Sequence, residues 1–355
     1  MSDSTLRKLS SGMTMNNEPI GSRIFSQNET YLFLILVILV TVVSLIAPNF
    51  LTGRNAFQIL RSASFTGILS IGFLFVLIAG GLDISFTATA TVGQYLMALL
   101  LVGRPETPII LVILIPMLVG ILLGSLNAIL IHVLDAPSII VAISNLNVYY
   151  GLLQIFSGGR WLYDFPKWFN QLGRGFIFNF VDENGASYGL AYISIIWGVI
   201  ALAGFFILKY MKLGRRIYAL GGNLEAAKRA GLNIFGLRVF AYGFLGFSAG
   251  IAGLVQSLNT QTVAPNALVG REFDVVAAVV LGGADIFGGS GSVGGTLLGV
   301  LLITVITNAL TILKVPPYWH QVVIGLVLLA SISVTSIRTL LAKRKERTID
   351  VREDS

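Results

Sequence analysis

Long apolar runs, separated by short polar or glycine-rich interruptions, repeat along the whole chain. A helix needs about 20 apolar residues to cross a membrane, and ten stretches approach that length. The predicted spans are Tyr31–Ala47, Phe57–Gly80, Ile84–Val102, Pro108–Leu134, Ala136–Ser157, Leu190–Tyr210, Leu237–Leu258, Phe273–Phe287, Val293–Leu313 and Trp319–Leu341. The pattern therefore predicts an all-α fold, a polytopic bundle of about ten transmembrane helices.

The segment near 273–295 departs from this pattern because it is short and interrupted by glycines. A broken or a re-entrant helix fits it equally well. Its glycines allow either close helix packing or a tight turn and are predicted to be structural. They are Gly282, Gly283, Gly288, Gly289 and Gly291.

Composition supports the membrane interpretation and excludes several kinds of chemistry. Of 355 residues, 55% are hydrophobic and 12% are charged, whereas soluble domains average about 25% charged residues. The absence of cysteine excludes disulfides, thiolate metal sites and a cysteine nucleophile. His132 and His320 are far apart without neighbouring ligands, so no metal site is predicted. No cluster of acids, histidines or nucleophiles indicates a membrane-embedded enzyme, and no catalytic residue is assigned.

Basic residues are concentrated in three segments that flank apolar runs. They are Arg7, Lys8 and Arg23; Lys209, Lys212, Arg215, Arg216, Lys228, Arg229 and Arg238; and Arg338, Lys343, Arg344, Lys345, Arg347 and Arg352. Cytoplasmic loops carry such an excess of Lys and Arg, so membrane topology explains the net charge of +7 better than nucleic-acid binding does. Both termini are predicted to be cytoplasmic.

This topology defines the predicted organisation of the chain. A disordered cytoplasmic segment, 1–30, precedes a single membrane domain, 31–341, and a basic cytoplasmic tail, 342–355. No cleavable signal peptide is expected, because about 30 polar residues precede the first apolar run. Within the domain, 158–189 is an external loop and 211–236 a cytoplasmic segment. The aromatic residues of the loop favour an interfacial belt, and a partner-docking surface is the alternative.

The cytoplasmic segment predicts a short helix with clear ends. Asn223 is a suitable N-cap, Glu225 sits where the helix dipole favours a carboxylate, and Gly231 stops the helix. Between them, Ala226 and Ala227 give a small-residue face, while Lys228 and Arg229 give a basic face. The helix is either a charged loop element that sets topology or a knob that docks into a groove of another protein.

A few polar residues lie within or beside the apolar runs. Asp83 follows two glycines, and a carboxylate at membrane depth is costly unless it is paired or hydrated. Capping of a helix that starts at Ile84 is favoured over solute contact, and the two roles are compatible. Glu272 and Asp274 head a predicted span and are interpreted as carboxylates that compensate its dipole.

Neutral polar side chains complete the set. Helix-to-helix hydrogen bonds are favoured for the three asparagines, with bonding to a hydroxylated solute as the alternative. The candidate residues of a translocation pathway are Asp83, Ser85, Asn127, Asn145 and Asn147.

Several of these motifs together resemble a known family over roughly residues 31–335. Glu225-Ala226-Ala227 followed by Gly231 is similar to the coupling segment of ATP-binding-cassette importer permeases. The other matching elements are Gly214-Arg215-Arg216, Gly221-Gly222-Asn223, Gly80-Gly81-Leu82-Asp83-Ile84-Ser85, Gly124 with Asn127, Gly158-Gly159, and the run from Phe273 to Gly283 continuing from Gly288 to Thr296. The chain is identified as a member of the ribose-type permease family, which includes autoinducer-2, nucleoside and branched-chain amino acid permeases.

The chain departs from the family pattern within membrane segments. Phe86-Thr87 replaces a Val-Gly pair, Ala128 and Ala309 replace glycines, and Ala142 to Asn145 replaces a Thr-Leu-Gly run of sugar permeases. These differences bear on the identity of the solute more than on membership of the family.

The resemblance implies an importer that carries a small hydroxylated solute, most simply a monosaccharide, across a bacterial inner membrane. It implies a second permease subunit, a cytoplasmic ATPase that binds ATP and Mg²⁺, and a binding protein outside. The coupling residues would be Asn223, Glu225, Ala226, Ala227, Arg229 and Gly231. No Gly-x-x-x-x-Gly-Lys-Ser/Thr motif occurs, so this chain holds no nucleotide-binding loop of that kind. An ion-coupled secondary transporter is the alternative, and it requires paired ionisable groups at membrane depth.

Overall fold

A computed structural model describes residues 27–181, 185 and 187–329. Within those residues the chain forms a helical bundle with one two-stranded hairpin. The elements are α1 Gln27–Ile46, α2 Gly53–Ile78, α3 Phe86–Gly103, α4 Ile109–Leu134, α5 Ser138–Ser157, α6 Lys167–Arg174, β1 Phe176–Val181, β2 Ser187–Ala191, α7 Tyr192–Tyr210, α8 Lys212–Gly222, α9 Leu224–Arg229, α10 Ile234–Thr260, α11 Glu272–Leu281, α12 Val293–Ile312 and α13 Pro317–Leu329.

Eight of the described helices are long and apolar enough to cross a membrane, which confirms the predicted all-α polytopic bundle. They are α1, α2, α3, α4, α5, α7, α10 and α12. The predicted number of about ten long spans is not matched among the described residues. Helix α11 has 10 residues and is therefore about 15 Å long, half the thickness of a bilayer core. The description of α13 ends at Leu329.

One boundary of the chain differs from the sequence prediction. Helix α1 begins at Gln27, so residues 27–30 are helical and do not belong to a disordered terminus. Segments 1–26, 330–341 and 342–355, including the predicted basic tail, lie outside the described residues.

Helix α10 lies at the centre of the bundle and packs against α2, α3 and, most extensively, α4. Glycines make the crossing with α4 close: Gly120 and Gly124 face Gly246 and Gly250, and a Cβ on any of them would overlap backbone of the other helix. Such small-residue contacts are a common way for helices to associate in lipid, where apolar side chains gain nothing over the acyl chains. Helix α1 is peripheral, with 17% of its most apolar window buried against 78% for α2.

The two ends of the bundle carry different elements. One end, here called the α9 end, holds α8, α9, the connection 79–85, the connection between α4 and α5, and the loop 282–292. Its parts are joined by backbone hydrogen bonds such as Gly289 N–H to Ile78 O at 2.9 Å. The opposite end, called the hairpin end, holds α6, β1 and β2. There Arg61 of α2 donates to Asn259 of α10 and to the Gly173 carbonyl of α6.

Strand β1 lies in the predicted external loop 158–189, and β2 runs from this loop into the first two residues of the predicted span Leu190–Tyr210. Neither strand was expected from the sequence. They pair antiparallel, with Asn179 opposite Gly189. Phe57 of α2 stacks on Phe180 with ring centroids 6.1 Å apart, and Phe180 stacks on Tyr188 at 5.7 Å. The hairpin is therefore held on the end of a membrane helix by aromatic contacts.

The glycine-rich segment crosses the bundle as a broken helix. Val263 pairs with Leu162 beside the hairpin, and Gly289 bonds the end of α2 at the opposite end. Only α11 is helical between these points. Because the chain emerges at the opposite end, the broken helix is observed rather than the re-entrant turn. Irregular backbone at this depth is tolerated because protein surrounds it.

Candidate functional site

Helix α9 is a short exposed helix with both ends capped. The Asn223 side chain accepts a hydrogen bond from Ala226 N–H at 2.9 Å, which confirms the predicted N-cap. At the other end, Leu232 N–H donates to Ala227 O and Gly231 N–H donates to Lys228 O. This is the Schellman arrangement, in which glycine supplies the left-handed residue, and Gly231 has φ +72°.

The faces of α9 differ from one another. Ala227 is buried against the bundle, whereas Ala226 and Arg229 are exposed. Glu225 and Lys228 form an ion pair at 2.9 Å on the exposed side. A Cβ on Gly231 would meet no atom within 4 Å, so this glycine serves backbone conformation and not close packing. The helix thus presents a small-residue surface with charges beside it.

Helix α8, which the sequence analysis did not predict, joins α9 to the membrane helices. Its Ile217 and Leu220 are buried, and Gly221 lies against the end of α2. The Tyr218 hydroxyl donates to Gly291 O at 2.7 Å, and burial raises the pKa of this phenol. Helix α9 is therefore attached to a fixed support, not to a loose loop.

Asp83, Ser85 and Asn127 form a buried polar cluster, and each is at most 2% exposed. One Asp83 carboxylate oxygen accepts bonds from Ser85 N–H at 2.8 Å and Ser85 Oγ at 2.7 Å. The other accepts from Asn127 Nδ2 at 2.9 Å. The carboxylate therefore has three donors within the protein, as a buried charge requires.

Helix α5 contributes the remaining members of the cluster. Asn145 Nδ2 donates to Asn127 Oδ1 at 2.6 Å, and Tyr149 Oη donates to the same oxygen at 3.0 Å. Tyr149 was missed in the sequence, although its spacing of four residues from Asn145 places it on the same helix face. Asn147 lies elsewhere: it is exposed, and its amide bonds Ile143 O on its own helix.

The prediction that Asp83 is the N-cap of the next helix is wrong by two residues. Helix α3 begins at Phe86 with Ser85 as its N-cap residue, two positions after Asp83. Asp83 instead holds the residues just before the helix by accepting a hydrogen bond from the Ser85 N–H group. The turn before it is set by Gly80, whose φ of +77° is a conformation that glycine adopts without strain.

A second buried acid, from another helix, contacts the first turn of α3. Glu272, at the start of α11, is 6% exposed and accepts a bond from Thr87 Oγ1 at 3.2 Å. Thr87 is one of the positions that depart from the family pattern. Asp274 pairs with Arg271 at 3.4 Å. The sequence interpretation of these acids as helix-heading carboxylates is compatible with their position, but their burial against α3 was not foreseen.

A cavity of about 530 Å³ opens at the α9 end beside the connection that carries Asp83. Its lining includes Leu82, Ser138, Arg238, Tyr242 and Phe287. The volume is in the range of small-molecule sites. No described hydrogen bond joins α9 directly to the Asp83 cluster, so the two predicted sets of site residues are separate. Among the described residues, no group of three His, Asp or Glu side chains is placed to hold a metal ion.

The eight apolar helices define a multi-pass membrane protein with an exposed α9 helix and an internal polar cluster. Residues 55–332 match the family described as "Branched-chain amino acid transport system / permease component". The chain belongs to this permease family, as its motifs predicted. No solved structure matches it significantly.

The relatives found cover most of the chain. The ribose import permease RbsC of Haemophilus influenzae is 31% identical over 89% of this chain and 95% of its own length. That of Bacillus subtilis is 31% identical over 84% of this chain and 90% of its own. The autoinducer 2 import system permease LsrC of Escherichia coli strain HS is 29% identical over 86% of both chains. The predicted ribose-type membership is thereby confirmed.

Proposed function

We propose that this chain is the non-catalytic membrane subunit of an ATP-binding-cassette importer and that α9 is the element on which the ATPase docks. The observation that carries the proposal is the geometry of α9. It is capped at both ends, seated on the bundle through Ala227, and exposed along Ala226 and Arg229. Small exposed residues permit close approach of a partner surface. ATP and Mg²⁺ would be bound by that partner.

The α9 end is proposed to face the cytoplasm. The described basic residues alone do not decide this, because each end carries seven of them and Arg271 lies between the ends, over the Phe65 ring in the middle of α2. The α9 end has Lys209, Lys212, Arg215, Arg216, Lys228, Arg229 and Arg238, and the hairpin end has Arg54, Arg61, Arg104, Arg160, Lys167, Arg174 and Lys314. The amino-terminal segment adds three basic residues to the α9 end. Ser292 Oγ donates to Glu29, so α1 starts at the α9 end, and Arg7, Lys8 and Arg23 precede it. The positive-inside rule then supports cytoplasmic termini in an inner membrane.

A second permease subunit is proposed to cover α5. Exposed polar or small residues follow one another along this spanning helix at intervals of three or four positions: Ser144, Asn147, Gly151 and Gln154. Polar side chains are unfavourable against lipid and normally face protein or a water-filled path. A pathway between two such helices would use this stripe, with Asn145 and Asn127 behind it. The second subunit is proposed to be either a second copy of this chain or a related permease.

The solute is proposed to be a small hydroxylated molecule, most simply a monosaccharide. The named relatives import ribose or autoinducer 2, and the exposed hydroxyl and amide groups of Ser144 and Asn147 on α5 are of the kind that bind sugar hydroxyls. The cavity at the α9 end would be an exit. A binding protein is proposed to deliver the solute at the hairpin end, opposite the ATPase. Within the family, autoinducer 2, a nucleoside or an amino acid is the alternative, and screening solutes against that binding protein would decide.

The decisive experiment combines purification and transport. The full chain is coexpressed with candidate ATPase subunits and a binding protein, purified, and reconstituted. A stable complex, with uptake abolished when the ATPase is made catalytically dead, is expected. Absence of a complex, together with uptake that ignores the dead ATPase, would contradict the proposal.

Docking on α9 gives a sharper prediction. Ala226→Trp places a large side chain on the exposed face and keeps the backbone N–H group that bonds the Asn223 cap. We expect it to abolish copurification of the ATPase while the chain still reaches the membrane. Glu106→Trp, an exposed position at the hairpin end, is the matched control and should leave copurification unchanged. Equal recovery of the ATPase with both variants would refute docking on α9.

An ion-coupled secondary transporter is the second candidate, and one observation favours it. Of the buried acids among the described residues, Asp83 and Glu272 both lie beside the start of α3. Paired acids at membrane depth are the feature that such a transporter needs. Uptake driven by a proton or sodium gradient in proteoliposomes that contain only this chain would establish it. The ATP-driven proposal predicts no such uptake.

A further inference from the structure

Four glycines from three chain segments meet backbone to backbone at the α9 end. This glycine junction consists of Gly80 after α2, Gly221 near the end of α8, and Gly288 and Gly289 in the loop 282–292. A Cβ on Gly288 would lie 2.6 Å from Gly80 Cα, and one on Gly221 would overlap the Ile78 carbonyl oxygen. At this point three segments touch with no side chain between them.

The junction has little freedom to deform. Side chains absorb small displacements by changing rotamer, but contacting backbones cannot. Gly288 and Gly289 have φ of +95° and +75°, and the loop is braced by Phe287 N–H bonding Asp285 Oδ1 at 2.9 Å. Tyr218 ties α8 to the same loop through Gly291 O. The end of α8, the loop and Gly80 are therefore in direct contact through their backbones.

The junction lies between the two candidate sites. On one side, Gly221 is two residues before Asn223, the cap of α9. On the other side, Gly80 is three residues before Asp83, and Leu82 N–H bonds Ser138 Oγ at the start of α5 at 3.0 Å. The connection from α9 to the polar cluster thus runs through contiguous backbone.

We propose that Gly221 is a positioning residue that transmits movement of α9 to the Asp83 segment and the start of α5. This inference rests on the proposed docking of an ATPase on α9. Coupling between distant sites is carried by packed elements that move together, and here the close backbone contact supplies that link. The prediction is loss of coupling without loss of docking.

The chain offers a matched pair of variants. Gly221→Ala forces a methyl group against the Ile78 carbonyl, whereas the next residue, Gly222, would direct a methyl group into open space. Both glycines end the same helix, so Gly222→Ala is the control. Because the protein has no cysteine, Ile139→Cys, beside the cavity at the start of α5, gives a single reporter of movement. Its maleimide labelling rate is measured in vesicles with the ATPase, with and without ATP and vanadate.

Nucleotide is expected to change the labelling rate in the wild-type background and in Gly222→Ala. In Gly221→Ala the ATPase still copurifies and hydrolyses ATP, but the change in labelling falls to one fifth or less, the low end of the roughly 5- to 150-fold range of coupling between sites. A change equal to that of Gly222→Ala would overturn the proposal, and so would loss of ATPase binding by Gly221→Ala alone.

A pair of milder substitutions tests the same proposal if the Gly221→Ala variant does not reach the membrane. Tyr218→Phe removes only the bond to Gly291 O, and Tyr210→Phe alters an exposed tyrosine at the end of α7. A reduced labelling response in Tyr218→Phe alone supports transmission, and equal responses overturn it. Failure of the wild-type chain to bind any ATPase would instead contradict the proposed function, so the two failures are distinguishable.

Discussion

Asn127→Leu is expected to lower the free energy of unfolding by about 3 kcal/mol. The side chain makes four hydrogen bonds, to Asp83, Ser85, Asn145 and Tyr149. Leucine has neither a donor nor an acceptor in its side chain, so all four bonds are lost. A single bond between membrane helices contributes about 0.6 kcal/mol on average. The bond to a buried carboxylate contributes about 1.5–3 kcal/mol, so the carboxylate of Asp83 dominates the loss.

Asn147→Leu is the matched control for this prediction. It makes the same chemical change on α5, but its amide bonds only its own helix and is exposed. We expect a change within about 0.5 kcal/mol, as for surface substitutions in general. Denaturant titration of both purified variants in detergent measures the difference. Equal stabilities would mean that the buried cluster does not hold α3, α4 and α5 together.

The predictable features of this protein were those fixed by local rules. The length of the apolar runs identified the eight long spans. Cap chemistry identified α9, because Asn223 and Gly231 each bond backbone groups within one turn of their own position in the chain. The boundary of α1 was missed because Gln27 to Thr30 are polar, and Glu29 is held by Ser292, a contact across 263 residues. Sequence alone does not reveal such a distant partner.

The site shows the same division. Asn145 and Asn127 were singled out as polar groups in apolar runs, yet their bond joins two helices whose packing had to be known. The burial of Glu272 depends on the broken crossing, which brings α11 beside Thr87. The β1 strand was missed because its alternation is weak: Phe178 and Phe180 lie on one face, but Ile177 and Val181 expose apolar side chains on the other.

Gly246→Ala is expected to destabilise the bundle by about 2–3 kcal/mol, near the upper end for overpacked sites. A Cβ there would overlap the Gly120 carbonyl oxygen and lie 3.2 Å from Gly124 Cα. Both neighbours are backbone, so no rotamer change relieves the overlap and α4 must move away from α10. This crossing is the most extensive helix contact of the bundle, and its separation also weakens the bond of Asn127, on α4, to Asp83.

Gly198→Ala on α7 is expected to stabilise the protein, in contrast to Gly246→Ala. A Cβ at this exposed position meets no atom within 4 Å, and replacing glycine by alanine in a helix interior gains about 0.5–1 kcal/mol. Thermal unfolding of the two purified variants in the same detergent should therefore shift in opposite directions from the wild type. A Gly246→Ala variant as stable as the wild type would show that α4 and α10 are not packed through their backbones, because a methyl group cannot be accommodated at the observed separation.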